Sequence, residues 1–90
     1  MVVYAGDFGK VLCTVSSAAA LLGAVKKALN RGEDVVIDFT RVHGVGIGWA
    51  KRIFRRLYIE LGADNFHERV FLLNITERDY KTIRKSLISF

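Results

Sequence analysis

The chain predicts an α/β fold on three observations. Two apolar runs, Val35-Val36-Ile37 and Val70-Phe71-Leu72-Leu73, have the unbroken hydrophobicity of strands covered on both faces. Stretches of helical period lie before, between and after them. Capping residues or glycines mark the ends of those stretches. Strands separated by helices imply parallel pairing through right-handed crossovers.

The elements follow in order. Met1–Ala5 and Lys10–Val15 are strand-like, and the intervening Gly6-Asp7-Phe8-Gly9 has turn chemistry, so a hairpin is expected. Ser16 or Ser17 can cap a helix over Ala18–Asn30, whose inner face is Leu21, Leu22, Val25, Ala28 and Leu29. Gly32 stops it at the C′ position. Asp34–Phe39 is the next strand, and the loop from Thr40 to Gly46 leads to a helix over Ile47–Leu61. Its buried stripe is Ile53, Phe54, Leu57, Tyr58 and Leu61, and Gly62 ends it. Asp64–Glu68 reads as a polar connection and Arg69–Ile75 as a strand. Thr76 caps a last helix to about Ser89, with Asp79 reaching back as in a capping box and Tyr80, Ile83, Leu87 and Ile88 inward. The predicted order is β-β-α-β-α-β-α, with a mixed, mostly parallel four-stranded sheet and helices mainly on one face.

The 90 residues suit a single domain, 1–90, with a core of moderate size. The one cysteine, Cys13, sits in an apolar run; it is expected to be a small buried hydrophobe, and it suits a reducing compartment. The amino terminus lacks a basic leader, and Ala18–Val25 is far too short to span a bilayer, so a cytoplasmic protein without a membrane partner is expected. His43 and His67 have no zinc-like spacing, and neither a catalytic triad nor a carboxylate pair can be assembled. No cofactor and no metal is expected. Asp38 is a lone strand-end acid expected to brace the following loop.

The net charge of +5 favours an acidic partner or nucleic acid. Two features concentrate the interest. The Gly44-x-Gly46-x-Gly48 spacing at a helix start either cradles an anion or permits a tight turn and close packing. A dinucleotide site is not expected, because Thr40–His43 separate the strand from the first glycine and the chain is too short for a further βαβ half. Lys51, Arg52, Arg55 and Arg56 form a basic stripe, which is either a solvated face or a surface for nucleic acid or an acidic protein. Arg78, Lys81, Arg84 and Lys85 make a second strip, diluted by Glu77 and Asp79. Trp49 is by default a core aromatic; if exposed it would anchor an interface beside Arg52.

The segment Val36-Ile37-Asp38-Phe39-Thr40-Arg41-Val42, the turn Gly46-Ile47-Gly48, and Trp49-Ala50 resemble a STAS domain. They resemble more closely the STAS-like family of unknown function, in which a strand ending in Asp-Phe is followed by a Val, a small-residue turn and an aromatic-Ala helix start. Leu57, Leu61-Gly62, Phe66 and the strand Val70–Asn74 continue the pattern, so the resemblance spans about Ser16 to Ile88. It implies a non-enzymatic regulatory module that works by protein–protein interaction, like the anti-sigma factor antagonists. The implied partner is a histidine-kinase-like ATPase or another regulator. In that family a serine at the start of the second helix can be phosphorylated, and a phosphate there adds about −1.5 to −2 charge. Here that turn is Gly46-Ile47-Gly48, without a hydroxyl, and Thr40 is the nearest one upstream. The expected partner surface is Thr40, Arg41, His43, Gly44, Gly46, Gly48, Trp49, Arg52 and Arg56. The alternatives are a small nucleic-acid-binding protein using Lys51, Arg52, Arg55 and Arg56, and an accessory or inhibitor protein of a mobile element.

Overall fold

A computed structural model describes residues 1–88. The elements in chain order are β1 (Val2–Tyr4), a 3-10 turn (Ala5–Phe8), β2 (Val11–Leu12), α1 (Val15–Asn30), β3 (Val35–Asp38) and β4 (Gly44–Val45). A long helix α2 then runs without interruption through Ile47–Ala50, Lys51–Arg55 and Arg56–Leu61. It is followed by α3 (Ala63–Arg69), β5 (Val70–Leu73) and α4 (Glu77–Ile88). The expected end of the last helix at Ser89 lies outside the described residues.

The α/β class and the parallel pairing agree with the sequence. The expected hairpin and four-stranded sheet do not. β1 pairs in parallel with β3, and β3 with β5, giving a three-stranded sheet of order β1-β3-β5. β2 leaves that sheet and pairs in parallel with β4, Val11 opposite Gly44 and Leu12 opposite Val45. The reason lies in the 3-10 turn, which carries the chain away from β1 instead of folding it back. Gly6 makes this path possible: a Cβ there would stand 2.8 Å from the Thr40 carbonyl oxygen, so the turn tucks directly against the loop after β3.

Val3 and Ile37 point into the core, where Leu12, Leu21, Val25, Trp49, Ile53, Phe54 and Leu57 are also buried. The opposite sheet face is open. Val2, Tyr4, Phe71 and Leu73 are 44–52% exposed there. The consecutive Val35-Val36-Ile37 run therefore does not mean cover on both faces, as its hydrophobicity predicts. Only the helix-facing rows are sealed, and helices lie on that one face.

Local differences have identifiable causes. Thr14, not Ser16 or Ser17, caps α1: its Oγ1 accepts the Ser17 amide at 3.2 Å, and the helix starts at Val15. Asp64–Glu68 lies within helix α3 rather than a polar connection. Gly62, at φ +81°, ends α2 and lets the chain turn into α3, where Phe66 is buried. Thr76 does cap α4, its Oγ1 accepting the Asp79 amide at 3.2 Å. Ile83 is buried and Leu87 half-buried against the core, as expected, and Asp79 and Ser86 are buried with them, while Tyr80 and Ile88 are exposed. The helix is rotated from the expected face because it packs chiefly on α2 and β4 rather than on the sheet. Cys13 is exposed, not buried, because it follows the two-residue strand β2 at the rim.

Candidate functional site

The loop from β3 to α2 is built on Asp38. Its Oδ1 accepts the Thr40 amide at 2.9 Å and the Thr40 hydroxyl at 2.6 Å. Asn74, just past β5, donates its Nδ2 to Asp38 Oδ1 at 3.2 Å and to Oδ2 at 3.3 Å. Asn74 adopts φ +55° and Arg41 φ +69°, so the chain turns sharply on both sides of this carboxylate. Asp38 thus ties the C-terminal ends of β3 and β5 together, at the strand ends where open α/β sheets carry their sites. The Thr40 hydroxyl, its amide and Asn74 hold the Asp38 carboxyl below its ordinary value of 3.8, against the opposing effect of burial. Glu60 is lowered as well, by Lys26 first and by Arg56.

The sign for stability follows. A carboxyl whose folded value is depressed stabilises the fold above its unfolded value, and that contribution is lost as pH falls through the folded one. Asp38→Asn is expected to be less stable than the parent at neutral pH and to have a flatter acid limb. Urea midpoints measured from neutral pH to about pH 2 check this. Parallel curves for the two proteins would show that the Asp38 contacts do not contribute.

Part of the glycine stretch serves the architecture. The His43 amide donates to the Lys10 carbonyl at 2.7 Å and the Gly46 amide to the Leu12 carbonyl at 2.9 Å. These two N–H groups are consumed by the β2–β4 ribbon and cannot cradle an anion. Gly46 caps α2, with the Ala50 amide bonded to its carbonyl at 3.0 Å. A Cβ on Gly46 would stand 3.5 Å from Cys13 Cβ, whereas Gly48 faces open space. From α4, Arg78 reaches across and donates Nη2 to the His43 carbonyl at 2.6 Å. His43, Gly44, Gly46, Cys13 and Arg78 accordingly line one shallow cleft.

Trp49 does not belong to the surface. It is 2% exposed, its ring centroid is 6.2 Å from that of Phe54, and its Nε1 donates to Ser17 Oγ at 3.1 Å. Its place among the expected partner-binding residues is corrected: the indole is a core anchor that locks the start of α2 onto the start of α1. The remaining expected residues fall into separate groups. Thr40 and Arg41 are exposed at the strand-end corner, and His43, Gly44 and Gly46 line the cleft. Lys51, Arg52 and Arg56 line a groove between α1 and α2 together with Val15, Ala19 and Leu22.

That groove has an apolar wall and a basic one. Val15 is 59% exposed at its rim. Glu60 moderates only its far end, with Oε1 3.4 Å from Arg56 Nε and Oε2 3.1 Å from Lys26 Nζ. Arg52 makes no ion pair among the described residues. The basic stripe runs through a π-helical turn, Lys51–Arg55, whose wider winding leaves Lys51 and Arg55 half-buried and Arg52 and Arg56 exposed.

The sequence reading missed the role of Asn74, the reach of Arg78, which it named only within the second basic strip, and the apolar wall. Asn directly after a strand is a signal for a left-handed turn and could have pointed to the first. The other two depend on how α4 and α1 dock, for which no local pattern exists.

A single layer of helices on a short parallel sheet, with a braced strand-end loop leading into a basic helix, defines a small α/β domain. The chain belongs to the family described as the STAS-like domain of unknown function, which matches residues 17–80. No curated protein and no solved structure matches the chain. Among the described residues, no helix is long and apolar enough to cross a membrane.

Proposed function

We propose that the chain is a non-enzymatic, cytoplasmic interaction module that holds an acidic segment of a regulatory protein, of which a histidine-kinase-like ATPase is one candidate. The observation that carries this reading is the groove between α1 and α2. Val15, Ala19 and Leu22 offer apolar contact there, and Lys51, Arg52 and Arg56 offer charge. An arginine facing a carboxylate at the rim of an apolar contact gives both affinity and register. The corner of Thr40 and Arg41 extends the same function at the strand ends.

The turn before the basic helix holds Gly46-Ile47-Gly48, so a phosphate cannot be placed at the position that the STAS resemblance implies. The docking surface is therefore constitutive in this chain. Affinity capture with the parent and with Arg52→Glu tests the reading. Partners held by the groove should be lost, or weakened at least about tenfold, when a cation becomes an acid. An unchanged set of partners for both Arg52→Glu and Arg56→Glu overturns it. Binding to mixed RNA or DNA that falls steeply with salt would instead favour the nucleic-acid reading, because each neutralised phosphate adds about 0.9 to the slope on duplex DNA.

A further inference from the structure

A second surface lies away from the basic groove, along the open edge of the three-stranded sheet. β5 is the last strand of the order β1-β3-β5 and has a neighbour on one side only. The Phe39 amide donates to the Leu73 carbonyl at 2.9 Å, so Leu73 faces β3. Main-chain groups alternate along a strand, so Phe71 also faces β3 while Leu72 turns its N–H and C=O to the open side. Natural edges are usually blunted by a lysine, a proline or a bulge. Val70-Phe71-Leu72-Leu73 carries no lysine and no proline.

The edge also has a wall in front of it. Because α4 docks on α2 and β4, a cleft of about 360 Å³ remains between β5 and the helices. The successive strand residues Val70, Phe71 and Leu72 all line it, so the cleft follows the strand edge. Its floor is apolar, with Phe66 and Ile83. Arg84 stands at its rim, its guanidinium 6.0 Å from the Tyr80 ring centroid and without an ion pair among the described residues.

We infer that this cleft receives an extended acidic peptide segment of a partner protein, which adds to β5 as a fourth strand. Main-chain bonds to Leu72 supply affinity that is independent of sequence. Apolar side chains on one side of the added strand fill the cleft against Phe66 and Ile83, and those on the other side cover Phe71. A carboxylate of the peptide meets Arg84. Strand addition is an established way of binding peptides, with alternate side chains selecting the ligand.

The test is selection of a displayed library of random decapeptides on the full chain, followed by titration of the selected peptides into the isotope-labelled protein. The expected peptides carry alternating apolar residues and at least one Asp or Glu. They should shift the Val70–Leu73 amide resonances and slow exchange of the Leu72 amide. Methylating alternate peptide nitrogens should weaken binding at least about tenfold in one of the two phases, since only one set of N–H groups faces β5. Arg84→Glu should weaken it about tenfold, and Arg52→Glu should leave it unchanged, which separates this surface from the α1–α2 groove. The inference is overturned by peptides that shift the α1–α2 groove instead, by indifference to methylation in both phases, or by self-association through β5 that excludes every peptide.

Discussion

Trp49→Ala is expected to lower the stability of the fold by about 3–5 kcal/mol, the usual cost of emptying a large buried aromatic site. Small domains have about 5–15 kcal/mol in total, so this change brings the chain close to unfolding. The indole is among the largest fully buried side chains. It joins two elements, α2 by its own backbone and α1 through the bond to Ser17, and packs beside Phe54 of the same helix. Urea denaturation followed by circular dichroism measures the effect, since the substitution removes the only tryptophan. Trp49→Phe keeps much of the volume and loses the N–H, so it should cost less. Ser17 Oγ would still be bonded, because it also lies 2.8 Å from Thr14 Oγ1 and 3.1 Å from the Thr14 carbonyl. A loss below about 1 kcal/mol for the alanine variant would contradict the packing described here. The result also bears on function: lost partner binding in such a variant would report unfolding rather than a missing contact.

Arg69→Ala is expected to cost about 1.5–3 kcal/mol, the range for hydrogen bonds that involve a charged group. Arg69 sits where α3 gives way to β5, and its Nη2 donates to the Leu29 carbonyl at 2.9 Å and to the Glu33 carbonyl at 3.1 Å. Those acceptors lie at and just beyond the C-terminus of α1, where carbonyls have no partner within the helix and a cation is favoured. The guanidinium thus pins the end of α1 and the lead into β3 to the start of β5. Hydrogen exchange should quicken at Gly32 and Glu33, whose amides bond to Leu29 and Ala28. Arg69→Lys should recover only part of the loss, because one ammonium cannot reproduce the planar fork. Unchanged exchange at those amides in the alanine variant would show that α1 is closed without Arg69.

What the residues state locally was legible. Val35–Ile37 and Val70–Leu73 contain strands β3 and β5, because a run of branched and aromatic side chains without polar interruption fits a pleated, packed surface. The apolar stripes of α1 and α2, the stop at Gly62 and the Thr76 cap follow from helical period and backbone chemistry. The motif order from Val36 to Ala50 led to the correct family. Asp38 was correctly assigned as the brace of its loop, though Asn74 was needed to see what it is braced against.

Hydrophobicity alone did not reveal which faces are covered. Val36, Phe71 and Leu73 read as core residues, yet the row they belong to lies on the open face of the sheet, since alternation assigns residues to faces without saying whether a second layer exists. Trp49 read by default as a core aromatic, with an interface role open, until Ser17 was placed beneath its nitrogen. The parting of β2 from β1 depends on Gly6 lying under Thr40, a contact between residues far apart in the chain. Period and capping thus determined the elements, and the motif order pointed to the family, because those signals act over a few neighbouring residues. Pairing partners, the exposed Cys13, the basic groove and the cleft beside β5 were decided by tertiary packing, where α4 docked on α2 instead of on the sheet and left an edge uncovered.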